Sequence, residues 1–117
     1  MKILLTIFSL GLLLTACSGR DGKLAQQMTG TWHRDESETI TLAPAGNFSR
    51  LLRKAGHTDS FTGTWQIKDR VLLMTITSAS DARSGPLIGG VESWNLLRVD
   101  DHHLVYEQSR QTYTLSR

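Results

Sequence analysis

Phe61-Thr62-Gly63-Thr64-Trp65-Gln66-Ile67 alternates strictly: Phe61, Gly63, Trp65 and Ile67 fall on one face of an extended chain, Thr62, Thr64 and Gln66 on the other. A period of two, carried by aromatic and β-branched residues, specifies a half-buried strand; an amphipathic helix would bring its apolar residues back every three to four positions. Upstream, Met28-Thr29-Gly30-Thr31-Trp32 echoes Phe61-Thr62-Gly63-Thr64-Trp65 at an offset of 33 residues. With two copies and little similarity between the segments after them, the echo marks two strand starts and not a solenoid. Downstream, Val71 to Ile76 is apolar on both faces and is expected to be covered on both sides, or to have its outward face under a neighbouring segment.

Short β-branched and aromatic runs of this kind recur along the chain, separated by turn signals every eight to twelve residues or so, the spacing of an all-β domain. Strands are expected near 30–34, 38–43, 47–54, 59–67, 70–77, 91–99, 102–108 and 111–116. Pro44-Ala45-Gly46-Asn47 supplies one turn, since proline presets φ and glycine takes φ > 0; Ala55-Gly56, Lys68-Asp69 and Asp100-Asp101 supply others. One stretch, 78–90, has small, turn-type composition without a strand pattern. Structureless connections of that length are uncommon in small domains and often functional or mobile. Leu87 and Ile88 are its large apolar residues, framed by Gly85, Pro86, Gly89 and Gly90, and are the candidate partner contacts.

The amino terminus reads differently. Lys2 is followed by an apolar block from Ile3 to Leu14, then Leu14-Thr15-Ala16-Cys17 and a polar stretch from Ser18 to Lys23. The block is shorter than the ~18–20 residues that span a bilayer and fits the apolar core of a signal peptide. With the sole cysteine at its end, the segment resembles the lipobox of a bacterial lipoprotein. That resemblance implies residues 1–16 as a signal peptide, an N-terminal signal helix removed on maturation. It also implies 17–27 as an acylated cysteine with a flexible tether, leaving 28–117 as the domain. Lys23 to Met28 has the composition for one helical turn leading in. The resemblance further implies a diacylglycerol thioether and an N-acyl (palmitate-class) chain on Cys17. Each buried CH₂ contributes about 0.8 kcal/mol, so two or three chains hold a protein at a membrane where one holds it marginally. Ser18, in place of aspartate after the cysteine, points in enteric-type sorting to the outer membrane facing the periplasm.

Thirteen basic residues, less Lys2, stand against eleven acidic ones. So even a balance gives no electrostatic footprint for nucleic acid. With Cys17 acylated no thiol remains, so the domain depends on its core, not on disulfides.

Gly-Thr-Trp at 30–32, Gly-Asn-Phe at 46–48, a second Gly-Thr-Trp at 63–65 and Tyr-Thr-Leu-Ser-Arg at 113–117 together resemble a small lipocalin-like domain. The resemblance implies a mainly β fold, a small eight-stranded antiparallel up-and-down barrel. It also implies that Trp32 closes one end and that a late arginine packs across it; Arg117 is the best match, with Arg98 the alternative. The domain is shorter than a typical lipocalin and lacks a Thr-Asp-Tyr motif. A barrel of this size is expected to be filled by Trp32, Trp65, Trp94, Phe48, Phe61, Tyr106 and Tyr113, so the family's ligand cavity does not follow.

No arrangement stands out from solvated surface as a catalytic or metal site. His102 and His103 are adjacent, and adjacent strand residues point to opposite faces. No Gly-x-Ser-x-Gly elbow presents a serine. Asp35, Glu36, Glu38, Glu92 and Glu107 have no spacing that distinguishes a glycosidase pair. Arg50, Arg53 and Lys54, with Arg70, read as a basic cluster on an exposed strand, where such charges discourage edge pairing. The expectation is a non-enzymatic, membrane-anchored binding or accessory protein of the cell envelope without a cofactor. Its partners are the membrane, through Cys17, and an envelope protein or a small apolar ligand. The alternatives are a periplasmic inhibitor of a lytic enzyme or protease, and a carrier of a small apolar ligand.

Overall fold

The computed structural model describes residues 19–80 and 87–117. The signal segment, Cys17 and the middle of the 78–90 stretch lie outside the described residues. Among the described residues eight strands follow one helix: α1 (19–28), then β1 (Gly30–Arg34), β2 (Glu38–Leu42), β3 (Asn47–Lys54), β4 (His57–Lys68), β5 (Val71–Ala79), β6 (Val91–Val99), β7 (His103–Gln108) and β8 (Gln111–Ser116). Each strand pairs antiparallel with the next, and β8 returns to β1, closing an up-and-down barrel in chain order. The seam is narrow, with His33 opposite Ser116.

Alternation places Trp32, Ile40, Leu42, Phe48, Phe61, Trp65, Leu72, Met74, Trp94, Leu96, Leu104, Tyr106 and Leu115 inside, all buried. Trp32 and Trp65 are core residues, as the alternation requires. Each indole N–H finds a carbonyl at 2.9 Å, Met28 O for Trp32 and Ala43 O for Trp65, so neither buries an unpaired donor. β4 kinks at a register shift between Thr62 and Gly63. A Cβ on Gly63 would lie 1.8 Å from Thr75 O and 2.8 Å from Phe48 Cε1; the second Gly-Thr-Trp therefore needs its glycine for close approach between β4 and β5.

The hairpins use backbone that suits twisted strands. Ala55-Gly56 (φ 46° and 78°), Asp69-Arg70 (52° and 63°) and Ser109-Arg110 (52° and 68°) carry positive φ at both central positions, the requirement of a type I′ turn. The β4–β5 turn thus falls one residue later than Lys68-Asp69. In the β6–β7 turn Asp100 accepts hydrogen bonds at Oδ1 from the N–H groups of His102 (2.9 Å) and His103 (2.8 Å).

Residues 19–27 are not the flexible tether that their polar composition suggests. Together with Met28 they form α1, which seals the end of the barrel where β1 begins and β8 finishes. Leu24 and Met28, four apart on one face, are buried in the core. Asp21 accepts from the N–H groups of Asp69 (3.1 Å) and Arg70 (3.4 Å), tying the helix to the β4–β5 turn. Arg117, not Arg98, lies over the Trp32 ring, its Cζ 4.0 Å from the centroid. Its guanidinium also donates to Thr29 O (2.7 Å), Gln27 O (2.9 Å) and Asp101 O (2.9 Å). Burial of two apolar residues and these charge-assisted bonds outweigh the polar composition of the segment.

Candidate functional site

The opposite end, where the β1–β2, β3–β4, β5–β6 and β7–β8 connections gather, is built differently. Glu38 is the first residue of β2, two before Ile40 and four before Leu42, so it points inward and is completely buried. Arg50, between Phe48 and Leu52 on β3, and Glu92, two before Trp94 on β6, also turn in. Arg50 donates through Nε to Glu38 Oε2 and through Nη1 to Glu92 Oε2, both at 2.5 Å. Trp94 Nε1 donates to the same Glu92 oxygen at 2.9 Å. Glu38 Oε1 accepts no hydrogen bond from the described residues and lies 3.6 Å from Arg34 Nε. Burial works against the charge on Arg50, but Glu92 and then Glu38 outweigh it and hold the guanidinium above its usual range.

Aromatic rings join the two arginines. Trp94 and Tyr106 stack with centroids 3.7 Å apart and planes 4° from parallel; Tyr106 and Tyr113, directly opposite in the β7–β8 register, follow at 5.1 Å and 22°. Arg50 lies 5.4 Å from the Trp94 centroid, and Arg34 lies 5.2 Å from that of Tyr113. The result is a series of five contacting groups, Arg50–Trp94–Tyr106–Tyr113–Arg34, that follows β6, β7, β8 and β1 round the inside of the wall, with its two cationic ends facing one carboxylate, Glu38. Burial, and then the negative charge of Glu38, push the Tyr106 phenol well above its usual range, so it stays neutral at any ordinary pH.

The stack lies toward the end of the barrel where these connections gather, and beside it the described residues line an inner and an outer space. An inner cup of about 100 Å³ is lined by Phe48, Leu52, Phe61, Met74, Ile76 and Leu87, with Arg50 and Glu92 as its charged lining. An outer cleft of about 530 Å³ runs over the rim beside Gly90, Val91, Ser93, Asn95, Glu107, Gln108 and Ser109; Ile76, Leu87 and Glu92 border both spaces.

The structure separates Leu87 from Ile88. Both are about half exposed, at 50% and 49%, but Leu87 lines both spaces and Ile88 lines neither. Backbone bonds hold their turn to the end of β5: Gly89 N–H donates to Ile76 O (2.7 Å) and Ile76 N–H to Gly90 O (3.0 Å). The basic cluster does not form. Arg50 faces inward, while Arg53 faces out and donates to Glu36 O (3.3 Å), because odd and even positions of β3 take opposite faces. Arg70 belongs to the β4–β5 turn at the sealed end and donates to Leu96 O (3.3 Å). Of the five scattered carboxylates, Asp35, Glu36 and Glu107 are exposed, whereas Glu38 and Glu92 meet on one guanidinium. A signal for this was present, since Glu38, Arg50 and Glu92 each fall in phase with the apolar positions of their strands. Among the described residues no three histidine, cysteine or carboxylate side chains gather as a metal site.

Fold and site together define a closed eight-stranded antiparallel barrel of the lipocalin-like kind. Among solved structures, a lipocalin-like protein from Bacteroides uniformis ATCC 8492 is similar at TM-score 0.61 and 14% identity, over 78% of this chain and 98% of that one. An uncharacterized protein from Bacteroides eggerthii DSM 20697 is similar at TM-score 0.58 and 13% identity, over 76% of this chain and 98% of that one. Identities this low establish the shared fold. No protein-family model and no curated protein matches the sequence.

Proposed function

We propose that this protein is a non-enzymatic binding or accessory lipoprotein of the cell envelope, anchored through acylated Cys17 and working through the open end of its barrel. The observation that carries this reading is the division of the interior. α1 and Arg117 close one end, a salt-bridged aromatic stack occupies the interior toward the other, and concave space is left beside it. A cleft of about 530 Å³ lies within the several-hundred-Å³ range of small-ligand sites, whereas the cup of about 100 Å³ is too small for a carrier that engulfs its ligand. The lipobox at 14–17 supports the anchor, and Ser18 supports placement at the outer membrane, facing the periplasm. The described part of α1 starts two residues after Cys17 in the sequence and packs on the sealed end, which supports an anchor on that side of the barrel.

A second reading, a periplasmic inhibitor of a lytic enzyme or protease, draws support from the half-exposed Leu87 and Ile88 on a rim connection. Metabolic labelling with a fatty-acid analogue tests the anchor. Labelled wild type found in the membrane fraction and unlabelled Cys17→Ser found outside it are the expected results; equal labelling of the two refutes the anchor.

A further inference from the structure

The outer cleft is a notch in the barrel wall. On its β5 side, β6 is paired from Val91 to Asn95 without a register shift. On its β7 side the ladder stops at Asn95–Glu107, because β7 turns into β8 through Ser109 and Arg110. Val91 to Trp94 therefore rise past the hairpin tip with no register partner on that side among the described residues. Both faces of β6 line the cleft, the inward Glu92 and the outward Val91, Ser93 and Asn95, because at the notch no wall separates them. We propose that this free edge receives the amino-terminal end of an extended peptide, which adds to β6 as an antiparallel strand and sets its terminal ammonium beside Glu107. The proposal deepens the reading of the open end as the binding face and rests on it.

The bonds that β6 does make show which of its backbone groups are free. Gly90 O accepts from Ile76 N–H (3.0 Å) and Leu96 N–H donates to Arg70 O (2.9 Å), so even positions direct their backbone groups toward β5. Odd positions direct theirs the other way. Asn95 meets Glu107 there; beyond it no strand faces the N–H and C=O of Ser93 and Val91 among the described residues. Four such groups along one edge are a template for one more strand. Apolar surface lies beside them, since Val91 is 60% exposed and shares the cleft with Ile76 and Leu87.

The floor of the notch sets the direction and the end of the peptide. An antiparallel partner of β6 takes the lane and the direction of β7, so its amino terminus lies nearest the tip, above Gln108 and Ser109. A chain continuing downward would meet that tip, so the lane admits an end. Glu107 is exposed at this floor and makes no ion pair with a described residue, and no lysine or arginine among the described residues lines the cleft. Two strand residues, about 6.8 Å, separate Glu107 from the place opposite Ser93, a gap that a glutamate side chain bridges. A first residue at that place gives its ammonium to Ser93 O and to Glu107, and the third residue stands opposite Val91 as a cross-strand pair. A parallel peptide would bring its carboxylate to Glu107, a like charge.

Hydrogen exchange in the unliganded protein reads the edge itself. The Val91 and Ser93 amides are expected to exchange much faster than those of Glu92 and Trp94, whose N–H groups face β5; protection of all four overturns the proposal. The probe is the peptide Ala-Thr-Val-Thr-Ala-amide, compared with its N-acetylated form on the purified full-length protein. The free peptide is expected to protect the Val91 and Ser93 amides and to bind at least about threefold more tightly than the acetylated one, the effect of one partly exposed ion pair. Glu107→Gln is expected to abolish that difference by weakening the free peptide alone. Val91→Pro removes a donor at the first position of a strand, where proline is tolerated. It is expected to weaken both peptides about fivefold, the loss of one hydrogen bond, while Glu92 and Trp94 stay protected. Equal affinity of the two peptides, or binding indifferent to Val91→Pro, overturns the proposal. n-Hexanol, which needs the cup and no strand edge, separates this proposal from the reading beneath it. A shift of the Trp94 indole N–H resonance with hexanol and no response to either peptide overturns the peptide proposal alone. No response at the mouth to any of the three overturns both.

Discussion

Replacing Glu38 by glutamine removes one charge and almost no volume, and the buried network sets its cost. Glu38 is fully buried, with Arg50 Nε at 2.5 Å and Arg34 Nε at 3.6 Å. Without the carboxylate, Arg34 loses its buried counter-charge and Arg50 keeps only Glu92. Stripping one partner from a buried ion pair costs about 3–5 kcal/mol. The arginine side chains retain 35% and 15% exposure, so water relieves part of the imbalance and the lower end of that range applies. At roughly 4–8 °C per kcal/mol for a domain of this size, a loss of about 3 kcal/mol lowers Tm by ~12–24 °C. Circular dichroism melts and urea titrations of the two proteins give the number. Adding Arg50→Met to Glu38→Gln should cost less than the sum of the two single changes, because each single change already breaks the same Glu38–Arg50 contact. A Glu38→Gln protein within about 1 kcal/mol of wild type, with strictly additive effects in the double variant, would refute the account of this network as mutually dependent.

Gly63→Ala drives a methyl group into Thr75 O and Phe48, so it should cost at least the upper end of the roughly 1–3 kcal/mol typical of overpacking; a denaturant midpoint equal to wild type would show that the β4–β5 approach is loose. Asp100 is held down to about 2, first by the backbone N–H of His102 and then by that of His103. Its contribution to stability is therefore fully present above the unfolded carboxyl value near 3.9 and disappears as pH falls through about 2. Carboxyl NMR titration reads this directly, and an Asp100 midpoint near 3.9 in the folded protein would contradict it.

The eight strands are legible because each signal is local. Alternation in Phe61 to Ile67 needs no knowledge of partners, and Pro44-Ala45-Gly46 or Ala55-Gly56 bends the chain by its own backbone preferences. Expected bounds of 47–54, 91–99 and 111–116 match β3, β6 and β8, and 59–67 falls short of β4 because the β3–β4 hairpin extends past its apolar part. The charged interior escapes such reading for a physical reason. Charged residues are almost never fully buried unless paired, and pairing is a property of the register and not of any one strand. Glu38 and Arg50 sit on neighbouring strands, but Glu92 lies four strands along from Glu38, and only barrel closure brings it across. The same holds for α1. Gly19 to Gln27 is largely polar, and Leu24 and Met28 acquire their meaning only from the barrel end that α1 covers.

The narrow β1–β8 seam has a mechanical consequence. Tension applied at the amino-terminal end reaches α1 and β1 first, and β1 meets β8 through the single register pair His33–Ser116 while sharing five with β2. Unzipping would therefore start at this seam and peel strands away in order. Arg117 stands in its path: from the end of β8 it grips the carbonyls of Gln27 and Thr29, on the very segment that transmits the load, and its Cζ sits 4.0 Å over the Trp32 ring. Arg117 thus acts as a latch across the seam, adding two side-chain hydrogen bonds to the segment before β1 where the ladder itself has one register pair.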